Sequence, residues 1–167
     1  MKELFMQIVD DNDDLIGDIE RSRIDYEKNI YRVAALWLTN SKGEFLIAQR
    51  KLTKDRDPGM WGPAVAGTVE AGETYTSNIY KEAEEEIGLT GLEFYTGPKL
   101  RVHVPRNYFC QWFTATLDRA PEEFVLQEDE VEAVTWIGGD KLLYEVQNQP
   151  EKYIPGMYAA LEVLGIV

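Results

Sequence analysis

Residues 67–89 read GTVEAGETYTSNIYKEAEEEIGL, and no other segment restricts the folds open to this chain as much. Ile79, Ala83 and Ile87 recur at helical spacing and form an apolar stripe, which Tyr80 borders. Thr74 is a good N-cap, and Gly88 suits a left-handed exit, so a helix is expected between them. Its stripe must lie on a core. Advancing about 100° per residue from Ile79, the side chains of Glu82, Glu85 and Glu86 gather on a second stripe beside the first. Glu84 points elsewhere. Like charges at this spacing repel by about 0.2–0.5 kcal/mol per pair. Either water screens them, or a cation sits among them. Clusters of oxygen ligands suit Mg²⁺ or Mn²⁺, hard ions that also bind phosphate oxygens.

The rest of the pattern calls for a sheet. LFMQIV and LIGDIE flank DDNDD and predict an N-terminal hairpin with a polar turn. That turn is no calcium loop, because Leu15 and Arg21 stand where the loop pattern needs Gly and Glu. YRVAALWLT is apolar on both faces, as in a strand covered from both sides, and FLIAQR is expected to pair with it as a hairpin. KLTKDRDPGMWGP reads as a polar loop, and AVAGTVE as a short strand. LEFYTG, KLRVHV, YFCQWFTATL and EAVTWI read as further strands. His103 and Cys110 fall within these strands, and one of Trp112 and Phe113 should face the core. From Asp140 onward, two helices are expected, broken near Pro150 and Pro155. One mixed α/β domain over 1–167 follows: a hairpin extension at 1–28, a core at 29–137 and C-terminal helices at 138–167.

Composition narrows the partners. A formal net charge of -13 leaves no basic footprint for a nucleic-acid polymer and disfavours an anionic membrane. A small anionic substrate remains compatible where cations are placed locally. One cysteine and an N-terminus without a long apolar region lead us to expect a cytoplasmic protein. A single histidine excludes mechanisms that need two or three.

Gly67, Glu73, Glu82, Ala83, Glu85, Glu86, Gly88 and Leu89 also stand at the spacings of the signature of the Nudix hydrolases, which the segment resembles. Lys81 stands where that family has Arg and keeps the charge without the planar fork. GEFLIAQR, the PGMW loop and the final TW also fit, and the N-terminal hairpin and QRKLTKDRDPGMW resemble the branch that includes isopentenyl-diphosphate isomerase and its hydrolase relatives. The resemblance implies a Nudix-type α/β/α sandwich with a mixed sheet and an N-terminal β-hairpin. It implies a metal-dependent hydrolase that cleaves a diphosphate linkage in a small molecule, a nucleoside diphosphate joined to another moiety, with Mg²⁺ or Mn²⁺ as cofactor. A homodimer is an expectation carried by the family alone.

By the same resemblance, Glu82, Glu85 and Glu86 are metal ligands, joined by the backbone carbonyl of Ala66. Gly67 and Gly72 let the backbone approach closely, and Glu73 braces the loop through Lys81 or backbone N–H groups. Arg50 is the candidate phosphate ligand, because guanidinium grips phosphate bidentately. Lys51, Lys54, Arg56 and Arg21 are expected to be solvated. Similar hydrolases place a further catalytic glutamate ahead of the last core strand, where LQEDEVEAVTW offers Glu130, with Glu128 as the alternative. Two other readings compete. An isomerase of the isopentenyl-diphosphate type would need a Cys and several His near the loop before the signature, where this chain has Tyr31 and Trp61. A non-catalytic binding module would be expected to lose the glutamates that this chain keeps.

Overall fold

The computed structural model describes residues 3–167. Strands β1 (Phe5–Val9) and β2 (Leu15–Glu20) form the expected antiparallel hairpin. Its turn is tied by the Asp10 carboxylate, which accepts from the Asn12 and Asp14 amides. Asp13, at φ 65, turns its side chain inward.

β3 (Ile30–Thr39) is the keel of the sheet. Along one edge it runs parallel to β8 (Tyr108–Thr116), in register from Tyr31↔Tyr108 to Thr39↔Thr116. Its other edge meets β1 at Ile8↔Tyr31, then β6 (Val65–Thr68) from Val33↔Thr68 to Leu36↔Val65. β4 (Glu44–Arg50) touches β3 only at Thr39↔Phe45, so the hairpin expected there opens at once. The reason is competition: β6 takes the β3 edge, and β4 pairs instead with β9 (Val131–Gly138) and β5 (Trp61–Pro63). β5 lies inside the stretch read as loop. The separate strands expected at LEFYTG and KLRVHV merge into β7 (Tyr95–Val102), which bulges between Thr96 and Lys99 against β8. His103 falls just beyond it, exposed in the following turn, and not in a strand.

Helix α1 (Tyr75–Ile87) begins and ends where its caps place it. Thr74 accepts the Ser77 amide, and Gly88, at φ 64, donates to the Ala83 and Glu84 carbonyls. α2 (Gly139–Asn148) and α3 (Met157–Val163) follow, separated by a single 3₁₀ turn at Pro150–Lys152. Alternation along β3 divides the core. Ala34, Leu36 and Leu38 pack with Ile79, Ala83 and Ile87 of α1. Ala35 and Trp37 pack with Leu142, Val146, Met157 and Leu161 of α2 and α3. Neighbours on β8 divide likewise, Phe113 toward α1 and Trp112 toward the C-terminal helices. Both are buried, because helices cover both faces of this strand, and each such burial contributes about 2–3 kcal/mol. Among the described residues no helix is long and apolar enough to cross a membrane.

Candidate active site

The pairing of β6 with β3 sets the start of the signature against the sheet, and the α1 stripe fixes the roll of the helix. The carboxylates of α1 are thereby turned onto a cavity of about 300 Å³. Ala66, Gly67, Glu82, Glu85 and Glu86 line it from β6 and α1, Arg50 from the end of β4, and Glu130 from the turn before β9. Contact at Gly67 is close enough to forbid a side chain: a Cβ there would lie 2.3 Å from Glu82 Cγ.

The glutamates differ in surroundings. Glu85 is exposed and Glu82 half-buried. Burial raises the Glu82 pKa, which the Lys81 charge opposes and the Glu85 charge reinforces. The Glu86 carboxyl is pushed up to about 8, first by burial, then by repulsion from Glu82 and Glu130. The Ala66 N–H and the Arg50 charge work against that rise without overcoming it. Glu130 pairs with Lys54 Nζ at 2.7 Å. Arg50 Nε donates to the Arg56 carbonyl at 3.1 Å.

Glu73, Lys81, Gly72 and Gly88 lie outside the cavity wall. Glu73 Oε2 accepts the Glu70 amide at 2.9 Å and the Asn78 amide at 2.8 Å, while Oε1 pairs with Lys81 at 2.7 Å. Burial opposes ionisation of Glu73, but these partners outweigh it and hold its pKa low. Lys81 also reaches Glu70 at 3.2 Å and Glu82 at 3.5 Å, and these carboxylates raise its pKa against the effect of burial. Gly72 adopts φ 83 in the turn before α1.

Several residues behave differently from the expectation of plain solvation. Arg21, Lys54 and Arg56 line the cavity, and Lys51 pairs with Glu132 at 3.0 Å. The Arg56 guanidinium lies 4.3 Å over the Tyr26 ring. Tyr31 and Tyr108 also line the cavity, although strand aromatics are expected to serve the core, and so does Arg106, which the sequence did not single out. Arg106 grips Asp57 through two bonds of 2.9 and 3.1 Å, a pairing across 49 positions that leaves no local pattern. Asn78 was also missed, although its position one helical turn before Glu82 was a usable signal. Glu128 does not line the cavity, and neither do Trp61, Trp112, Cys110 or His103.

The donor set fits a hard divalent ion in kind: it is all oxygen, and Glu86 is a half-buried carboxyl that among the described residues has no Lys or Arg in ion-pair contact. Among the described residues no three candidate ligands are already drawn to a common ligating point, so the carboxylates surround the cavity without converging in it.

Comparison with known proteins agrees with this architecture. The family model described as NUDIX domain matches residues 28–157. An uncharacterized Nudix hydrolase of Pseudomonas aeruginosa, PA4841, is 31% identical over 93% of this chain and 89% of its own length. The isopentenyl-diphosphate Delta-isomerase of Ruegeria pomeroyi is 29% identical over 78% of this chain and 75% of its own. Among solved structures, DR0079 of Deinococcus radiodurans superposes with a TM-score of 0.83 at 21% identity, over 95% of this chain and 97% of that one. The NUDIX domain of Shewanella oneidensis NrtR, complexed with ADP ribose, superposes with a TM-score of 0.62 at 13% identity, over 86% and 92%. The chain belongs to the Nudix family, and it is an enzyme of that family, a Nudix hydrolase.

Proposed function

We propose that the protein hydrolyses a diphosphate linkage in a small molecule, a nucleoside diphosphate joined to another moiety, with Mg²⁺ or Mn²⁺ bound through Glu82, Glu85, Glu86 and the Ala66 carbonyl. One observation carries this reading. Carboxylates from α1, a fourth carboxylate from a segment more than forty positions away, and the guanidinium of Arg50 all open on one cavity. Such a cavity presents cation ligands and anion ligands to the same guest. When bound, the metal would neutralise charge on the phosphate oxygens and lower the pKa of a bound water.

The chain's own residues account for the rest. Arg50 is anchored through Nε and offers its remaining N–H groups to a phosphate. Arg21 and Arg56 line the same wall and add positive charge where phosphate oxygens would lie. Glu130 is the proposed base that takes the proton from the attacking water, because the α1 glutamates are committed to the metal. Lys54 holds Glu130 in place. Glu73, through Lys81 and the Glu70 amide, keeps the loop before α1 in shape. A cytoplasmic location and a homodimer belong to the same reading and rest on the cysteine count and the family.

The isomerase relative raises a second reading, double-bond isomerisation of isopentenyl diphosphate to its allylic isomer. The cavity disfavours it. No cysteine or histidine lines it, and Cys110 is buried within β8, where burial pushes its thiol up. Incubation with ADP-ribose, other nucleoside diphosphate compounds and isopentenyl diphosphate, with Mg²⁺ or Mn²⁺, separates the two. Phosphate-bond cleavage is expected. Isomer formed without cleavage would overturn the reading.

A further inference from the structure

Asn78 is fully buried in α1, one turn before Glu82. Its Nδ2 donates to the Thr68 carbonyl at 3.0 Å and to Glu73 Oε2 at 2.8 Å, and lies 3.4 Å from Glu82 Oε1. Its Oδ1 is buried with no partner. The opposite amide orientation would press that oxygen against a carbonyl and two carboxylates, so the contacts fix which end faces them. An unpaired buried carbonyl oxygen costs free energy, and an apolar side chain would fill the same space without it. What the position supplies is therefore the pair of amide hydrogens, one for each of the two shorter contacts, with Glu82 Oε1 sharing one of them at 3.4 Å.

Lys81 reaches the same two carboxylates, at 2.7 Å to Glu73 Oε1 and 3.5 Å to Glu82 Oε1. An ammonium is a point charge and lacks the planar fork with which a guanidinium spans two carboxylates. In this chain the two oxygens of Glu73 are divided, Oε1 to Lys81 and Oε2 to Asn78, and Glu82 Oε1 faces both donors. We infer that Asn78 is a positioning residue for Glu82, and that Asn78 and Lys81 together do the work of a single forked cation at this point of the helix. The inference rests on the reading of Glu82 as a metal ligand. It adds a buried neutral residue, outside the cavity wall, that sets how tightly the metal is held.

Mn²⁺ binding, measured by spin resonance and calorimetry on the full chain, tests it without turnover. Glu82→Gln should weaken binding most. Asn78→Ala should weaken it by about tenfold or more, the scale of losing a residue that orients a ligand. Lys81→Arg placed in the Asn78→Ala protein should restore most of the affinity, because the guanidinium then spans both carboxylates. Thermal unfolding accompanies each measurement. If Asn78→Ala does not fold, Asn78→Leu keeps the volume, removes the donors and carries the same expectation. Affinity unchanged in a folded Asn78 variant, with Glu82→Gln impaired, would overturn the positioning role alone. Absence of rescue by Lys81→Arg would overturn the shared task. Unchanged affinity in Glu82→Gln would overturn the metal reading beneath both.

Discussion

Two acidic places in this molecule meet opposite fates. At the tip of the N-terminal hairpin, Asp13 is nearly buried and fully answered: Arg32 Nε lies at 2.7 Å, Lys99 Nζ at 2.5 Å and the Tyr75 hydroxyl at 3.0 Å from each oxygen. Burial works to raise its pKa, but those hydrogen bonds outweigh it and hold it low. At the cavity, burial also acts on Glu86, yet its nearest charged company is mostly other glutamates, and its pKa moves up. An acidic protein has few cations to distribute. Here they complete the hairpin knot, which joins β1–β2, β3, β7 and the start of α1. Among the described residues the one cation in ion-pair contact with an α1 glutamate is Lys81, which lies outside the cavity wall, held between Glu70, Glu73 and Glu82. A buried carboxylate answered by cations reads as structure, whereas one set mainly among like charges is a candidate ligand site.

That contrast breaks most sharply at the cavity. Glu86→Gln should lower turnover by about a thousandfold or more and abolish tight Mn²⁺ binding, since an electrostatic group is lost where charge develops. The same substitution should leave the hairpin knot intact, as judged by thermal unfolding without metal. Mn²⁺ held as tightly as in wild type would contradict the assignment. Glu130→Gln is expected to cost roughly a hundredfold in turnover with a much smaller change in metal affinity, because the role proposed for it is that of a base and not of a ligand. Steady-state rates beside calorimetric affinities separate these effects, and full activity would move the role away from Glu130.

At the hairpin the expected effect is on stability. Asp13→Asn should cost about 2 kcal/mol, measured by urea unfolding, and leave Mn²⁺ affinity unchanged. Its pH dependence has a definite sign. Asp13 has a folded pKa below the ordinary 3.8, so its contribution is complete above that value and disappears as pH falls through the lowered one. The variant should therefore approach wild-type stability in strong acid. A deficit that persisted there would remove charge as its cause. The smallest expected effect belongs to Lys54→Met. Its pair with Glu130 is partly exposed, so turnover should fall only about two- to fivefold. A loss as large as that of Glu130→Gln would make Lys54 a phosphate ligand in its own right.

The parts legible in the sequence are those whose information is local. Thr74, the stripe at Ile79, Ala83 and Ile87, and Gly88 specify α1 within fifteen positions, and the DDNDD turn specifies β1–β2. What was missed depends on competition or distance. β3 and β4 look like a hairpin, but β6, fifteen positions beyond β4, displaces β4 from the β3 edge. Trp112 and Phe113 are both buried because two separate groups of helices cover β8, which alternation in one strand does not reveal. In the candidate site, the carboxylates of α1 were readable from helical geometry and Arg50 from its place at a strand end. Arg106 was not, because its partner Asp57 lies on another loop. Lys54 and Arg56 look like ordinary loop charges until Glu130 and Tyr26 are brought beside them.

The parallel pairing of β3 with β8 also bears on the order of synthesis. β3 is complete at Thr39, but its partner ends at Thr116, and the segment between them contains β6 and all of α1. On the ribosome the glutamate-bearing helix is made while one edge of the keel strand still lacks its mate. Contacts between segments so far apart close slowly, because loop entropy is lost before they form. A growing chain halted before Tyr108 would carry every signature glutamate on a sheet without β8 and without the turn that carries Glu130. The glutamate-bearing wall made first waits for the framework made last.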